Sequence, residues 1–416
     1  MLSDRLKIAL PLLVFALVFP LMAAVFPAPS SVRDAYSYTM TAQRLVVDGV
    51  YAFSAEPPGV PIEPNAVVTP GWPLVLAGIY GVAGWEGDAQ ATAEAARPLL
   101  LFVMFLCSLS TVAAVAASAR ALGGPGLGLA AGLVAALYPP LSWAGTVVLA
   151  ENLGASLFMW QIYAAIKLSD VKAKRGTREL LLFGALCAAT LLVRPNLALW
   201  MLALAAYVLV RRIEPPRRFV RLLGVALVGF ALLIVPWWAR NIISVGAFIP
   251  VKSNYGVVPA PSTSGGAAST AGSDASGGEY WEVTTPAVNA TRIAQPWVPF
   301  FEVLYEESYN PQLPRITYQS GTVAPTEVGD AMAIAALWYH RVLLLLAAAS
   351  LVFVRRSPRL LLLAAAPVAV LAVHWSHLTT RYMYPTMPAL LVMATLGGYG
   401  IWRWARQAYR RRRSPG

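Results

Sequence analysis

Long apolar runs along the chain alternate with short polar breaks, many of them marked by proline or arginine. The runs cover approximately residues 6–26, 98–119, 125–143, 147–167, 179–193, 195–211, 219–239, 338–354, 359–376 and 383–404. Most approach the ~20 residues a helix needs to cross the hydrocarbon of a bilayer. They are rich in Leu and Ala and lack period-two alternation, which argues against membrane strands. The pattern predicts an all-α polytopic membrane protein of about ten transmembrane helices, with residues 1–416 forming one transmembrane domain. Two shorter features stand apart. Met40, Leu45 and Val46 recur at helical spacing, which predicts a juxtamembrane helix at 34–48. The apolar stretch 72–84 is too short to cross and predicts a re-entrant or interfacial segment.

Charge decides how the runs thread the bilayer. Lys167, Lys172, Lys174, Arg175 and Arg178 precede the stretch 179–211, and Arg211, Arg212, Arg217, Arg218 and Arg221 follow it. Basic clusters in short loops stay cytoplasmic, so the chain must cross twice between them. Arg194-Pro195 is then a tight external turn, because proline disfavours helix in the residue before it. Ten crossings from a cytoplasmic N-terminus put 22 of the 32 Lys and Arg residues on the cytoplasmic face, with only 4 of the 20 acids. Both termini are therefore expected in the cytoplasm, and the N-terminal run is read as an uncleaved first helix.

Two external segments are long under this topology. The first, 27–97, contains the juxtamembrane helix. The second, 240–337, carries the Ser/Gly/Ala-rich tract Pro261–Gly278, expected to be flexible, and an aromatic and acidic stretch, Trp281–Tyr309, expected to form a short interfacial helix. The basic, aromatic tail Trp402–Arg413 reads as an anchor among lipid headgroups.

Composition supports the membrane reading. Apolar residues make up 58% of the chain and charged residues 12%, about half the ~25% of soluble domains. A net charge of +12 would suggest nucleic acid in a soluble protein. Here the cytoplasmic loops account for it, and no nucleic-acid partner is expected. Cys107 and Cys187 lie inside apolar runs and read as small core residues.

Ionisable residues at external helix ends are the candidates for chemistry: Asp34, Arg97, Glu151, Arg194, Arg240, Arg341, His374, His377 and Arg381. Each alone could be a capping or snorkelling residue. Two carboxylates and several cations on one membrane face suggest instead an anionic substrate met by a base. Arginine suits a phosphate, since its planar fork bonds two oxygens at once.

Several of these residues sit in motifs. The stretch that begins at Asp34 (Asp-Ala-Tyr-Ser-Tyr) and runs to Gly49-Val-Tyr resembles the first-loop motif of GT-C-type glycosyltransferases, in which an aspartate opens a juxtamembrane helix. Thr69-Pro-Gly-Trp-Pro, Leu149-Ala-Glu-Asn-Leu, Leu192-Val-Arg-Pro-Asn, Pro236-Trp-Trp-Ala-Arg-Asn and Arg381-Tyr-Met-Tyr-Pro follow in the order of that superfamily. The resemblance covers residues 1 to about 404 and is strongest to bacterial relatives of protein O-mannosyltransferases and aminoarabinose transferases, the family 39/83-like enzymes. Ala35 and Ala150 depart from it, where many relatives carry an acid and a serine.

The resemblance implies an inverting transferase in the cell membrane, acting on the external face. It would move a sugar from a polyprenyl-phosphate donor to a hydroxyl on a glycan, lipid or protein acceptor. Asp34 would be the base, and Glu151, Arg194, Arg240, His377, Arg381 and Tyr382 would bind substrate. No metal or other cofactor is expected: the chain has no Asp-x-Asp metal motif and no glycine-rich nucleotide loop. Two rival readings are a polysaccharide polymerase or O-antigen-ligase-like enzyme, which needs no aspartate-led first-loop helix, and a transporter, which should show internal repeats and polar residues at mid-membrane.

Overall fold

The computed structural model describes residues 3–25, 33–54, 59–169, 177–211, 216–253, 327–353, 363–364 and 384–413. These residues form twelve α-helices and no strand: α1 (Asp4–Val25), α2 (Arg33–Val47), α3 (Gly71–Ala83), α4 (Ala89–Gly123), α5 (Pro125–Ala136), α6 (Pro139–Ala144), α7 (Ala150–Leu168), α8 (Thr177–Val193), α9 (Ala198–Arg211), α10 (Pro216–Arg240), α11 (Glu327–Phe353) and α12 (Met387–Arg413). Among the described residues three stretches are long and apolar enough to cross a membrane: Asp4–Ala23, Ala91–Gly123 and Val220–Val245. The expected flexible tract 261–278 and interfacial helix 281–309 lie outside the described residues, as does the run 359–376 apart from Leu363 and Ala364.

Local chemistry sets most boundaries. Gly124 takes a left-handed turn, φ 87°, and Pro125 opens α5 at a position where its missing N–H costs nothing. Arg194 follows α8 in an extended conformation, and Pro195–Leu197 make one tight turn into α9. The helix at 34–48 and the short one at 72–84 appear as α2 and α3.

One apolar run is not a single helix. The stretch 125–143 breaks after Ala136 and resumes as the six-residue α6 at Pro139-Pro140, because proline cannot continue a helix through its own position. The next helix then begins at Ala150 rather than at 147. Residues 145–149 are buried and lead the chain into the bundle, with Leu149 extended at φ −129° and ψ 151°. Ser108, near the middle of α4, donates to Leu141 O at 3.1 Å and meets Asn152 Oδ1 at 3.0 Å. The start of α7 is thus buried among the other helices.

Helices α8 and α10 run side by side in the same direction. Leu181 and Gly184 face Ala226 and Gly229 midway, and Leu192 packs near Trp237 and Trp238 at one end. Helix α9 brings the chain back from the end of α8 to the start of α10 and packs on α7. The α8–α10 approach depends on glycine. A Cβ added at Gly184 would collide with the Ala226 carbonyl oxygen, a backbone atom that cannot rotate away. Gly184→Ala is expected to cost ~1–3 kcal/mol through overpacking. Gly224→Ala on the same pair of helices, where an added Cβ meets open space, should be neutral or slightly stabilising. Thermal unfolding of the two purified variants checks this, and equal melting points would contradict the close crossing.

A cap of non-spanning structure covers the end of the bundle where α8 and α10 finish. Helices α2 and α3 pack on each other; Met40 of α2 meets Ala93 at the start of α4, and Gly71 of α3 meets Val193 at the end of α8. Trp72, Leu76 and Tyr80 form the buried face of α3, which the bundle covers.

Candidate functional site

Helix α2 is held from both ends of the loop that follows it. Arg44 is fully buried, and its Nη1 donates to Asp48 Oδ2 at 3.2 Å and to Val60 O at 3.0 Å. The other Asp48 oxygen accepts the Gly59 N–H at 2.9 Å. An arginine out of water is tolerated only when paired and hydrogen-bonded, so this clamp fixes the helix relative to its loop. Asn65 adds a second tie, accepting the Phe53 N–H and donating to the Phe53 carbonyl, each at 3.0 Å. Asp34 lies in the first turn of this clamped helix, beside buried Ala35.

Beneath the cap, the two motif residues Glu151 and Arg194 meet. Arg194 Nη2 donates to Glu151 Oε1 at 2.7 Å, and their side chains are 7% and 1% exposed. The pair is out of water. Glu151 occupies the first turn of α7, where the exposed N–H groups of the helix favour its charge. Arg194 reaches it by running its stem across Gly154, at which any side chain would collide with that stem. Asn152 anchors the same turn to α4 by donating to Met104 O at 2.8 Å. Thr69 donates to Val193 O at 3.5 Å, which links the cap to the residue before Arg194.

Arg240 ends α10 and is engaged by the cap. Its Nη1 donates to Asn65 O and to Asn241 Oδ1, both at 2.9 Å, and its Nη2 donates to Tyr51 O. The guanidinium lies 5.2 Å from the Tyr51 ring centroid and 5.3 Å from that of Trp237. Trp237 and Trp238 donate to Val251 O and Pro250 O, each at 2.9 Å. This arginine fastens the segment between α2 and α3 to the end of α10. Burial pushes the Tyr51 phenol well above its ordinary pKa against the opposing pull of Arg240, and the phenol donates to Val68 O at 3.0 Å.

Three further polar residues were not singled out from the sequence. Tyr138, before α6, meets His340 Nδ1 of α11 through its hydroxyl at 2.7 Å, and both residues are 2% exposed. Tyr384, in the turn Tyr384–Thr386 that packs on α7, is 1% exposed and near enough to Glu151 and Tyr138 to interact electrostatically. Arg194–Glu151 and Tyr138–His340 thus form two buried polar pairs, and Tyr384 is buried where its turn packs on α7. The signal for His340 was a histidine one turn inside the apolar run 338–354. Its neighbour Arg341 drew notice instead, and that guanidinium lies 5.2 Å from the Trp338 ring centroid, as an interfacial anchor would. His374, His377, Arg381 and Tyr382 lie outside the described residues. Among the described residues no three His, Cys, Asp or Glu side chains group as metal ligands.

No family model and no curated protein matches this chain. Among solved structures, it is similar to the Archaeoglobus fulgidus oligosaccharyltransferase in the apo form, at 12% identity and a TM-score of 0.48, over 98% of this chain and 52% of that one. It is also similar to the same enzyme in complex with Zn and sulfate, at 10% identity and a TM-score of 0.44, over 92% and 48%. Archaeal oligosaccharyltransferase AglB from Archaeoglobus fulgidus, in complex with an inhibitory peptide and a dolichol-phosphate, aligns at 12% identity and a TM-score of 0.46, over 97% and 52%. The chain spans about half the length of these proteins.

Proposed function

We propose that this protein is a membrane glycosyltransferase of the GT-C type, moving a sugar from a polyprenyl-phosphate carrier to an acceptor hydroxyl at the external face. The reading is carried by one observation. Motif residues widely separated in the chain converge at one end of the bundle, with Glu151 and Arg194 paired out of water below the cap whose helix α2 carries Asp34 in its first turn. In this scheme the acceptor hydroxyl gives its proton to the Asp34 carboxylate as its oxygen bonds to the anomeric carbon. The bond from that carbon to the phosphate oxygen breaks on the opposite face, and polyprenyl phosphate leaves. One displacement with one base inverts the anomeric centre. Arg194, oriented by Glu151, would meet the charge that grows on the departing phosphate. His377, Arg381 and Tyr382 complete the donor side of the proposal, and Arg240 holds the cap that carries Asp34. The buried charges sit at helix termini beneath a folded cap, an arrangement that favours this reading over the transporter and gives the aspartate-led helix a role that a polymerase would lack.

The test uses purified protein in detergent with polyprenyl phosphates bearing radiolabelled sugars. Wild-type protein should release polyprenyl phosphate in step with label moving to an acceptor or to water. No turnover across a panel of hexose and pentose donors, together with no protection of the protein by any of them against thermal unfolding, would overturn the reading.

A further inference from the structure

Away from the cap, α4 and α5 part from α11 and α12 to leave a groove of about 540 Å³. Small residues make it: Gly126 and Ala130 on α5, and Ala394 and Gly398 on α12. One end lies near Val134 and Leu343, close to the Tyr339 hydroxyl that donates to Val134 O at 3.1 Å. The other end lies beside Tyr399 and Trp402, which stack with ring centroids 5.8 Å apart. Here the groove meets charge. Arg403 lies over the Tyr399 ring at 5.8 Å, and Arg406 over the Trp402 ring at 5.3 Å. Both arginines are exposed, and neither has a carboxylate partner among the described residues. Arg410 to Arg413 continue the helix without an acidic residue.

We infer that this groove is a binding site for an anionic phospholipid, one acyl chain lying between α5 and α12 and its phosphate held by Arg403 and Arg406. Two physical requirements meet in one place. A groove in a bilayer is filled by the chain of a lipid, yet lipid is as apolar as the groove wall, so burial alone gives little selectivity. The selectivity has to come from the headgroup. A guanidinium stacked on a ring keeps its in-plane N–H groups for the two oxygens of a phosphate. Basic pockets between helices at the headgroup level act in this way. The site lies at the opposite end of the bundle from the cap, so its occupant is a structural lipid of that leaflet and not the sugar donor, and it does not depend on the transfer reaction.

Nanodiscs of equal phosphatidylglycerol and phosphatidylcholine with identical chains provide the test, read by native mass spectrometry of the released protein. Two arginines at the headgroup correspond to roughly a 30-fold preference for the anionic lipid. R403Q/R406Q should bring the preference near unity. Gly398→Leu fills the groove from a position where an added Cβ meets open space, so the protein should fold and retain neither lipid. Unchanged melting behaviour confirms that the losses are local. Equal retention of both lipids by wild-type protein, or a preference that survives both variants, would refute the site. Displacement of phosphatidylglycerol by an equimolar polyprenyl phosphate would refute it as well, by assigning the groove to an isoprenoid chain.

Discussion

Asp34→Asn is expected to leave a folded protein whose sugar transfer falls by roughly 10²–10⁴-fold, the range for loss of a general base. The substitution keeps the size of the side chain and removes its basicity. Asp34 sits in the first turn of α2, so a purely structural role would be to complement the helix N-terminus. Removing that charge costs at most ~1 kcal/mol at such a position, and the clamp from Arg44 to Asp48 and Val60 would still hold the helix. The two roles therefore separate cleanly. The measurement is turnover alongside donor binding, taken from the shift in melting temperature that the donor produces. If binding persists while turnover collapses, Asp34 acts on the reaction. Near-normal transfer by a well-folded Asp34→Asn protein would remove it as the base and make Glu151 the next residue to test.

Arg194→Met should be the most destabilising single change among the site residues. It leaves the Glu151 carboxylate, 1% exposed, without the guanidinium now 2.7 Å away. Removing one partner of a buried ion pair costs ~3–5 kcal/mol, because the other charge stays stranded out of water. The double variant Glu151→Gln/Arg194→Met should recover most of that loss, since two neutral side chains of similar volume fill the same space. Thermal unfolding of wild type, both single variants and the double variant closes the cycle. Activity then discriminates between structure and chemistry. A purely structural pair predicts that the double variant regains turnover with its stability. A pair that meets the leaving phosphate predicts a stable double variant that stays inactive, and recovered turnover would exclude Arg194 from the reaction.

What the sequence determined by itself was local. The helical spacing of Met40, Leu45 and Val46, the short apolar stretch 72–84, Pro195 and the clustering of Lys and Arg anticipated α2, α3 and the turn at Arg194, because hydropathy, helix breaking and charge act over a few residues. The fate of the run 125–143 was also written locally, in Pro139-Pro140, but its overall hydropathy hid the break. Glu151 and Arg194 could be named as candidates from their motifs, but not as partners: 43 residues separate them. The Tyr138–His340 bond joins positions 202 residues apart, and the bond from Arg240 to Asn65 O spans 175. Whether an arginine faces a phosphate, a carboxylate or a backbone carbonyl depends on which helices pack together, and only the tertiary structure decided that. It sank the start of α7 into the bundle and set Gly154 to leave room for the Arg194 stem. The C-terminal ends of α8 and α10 came together beneath the cap for the same reason, since their close crossing requires glycine at Gly184 and Gly229.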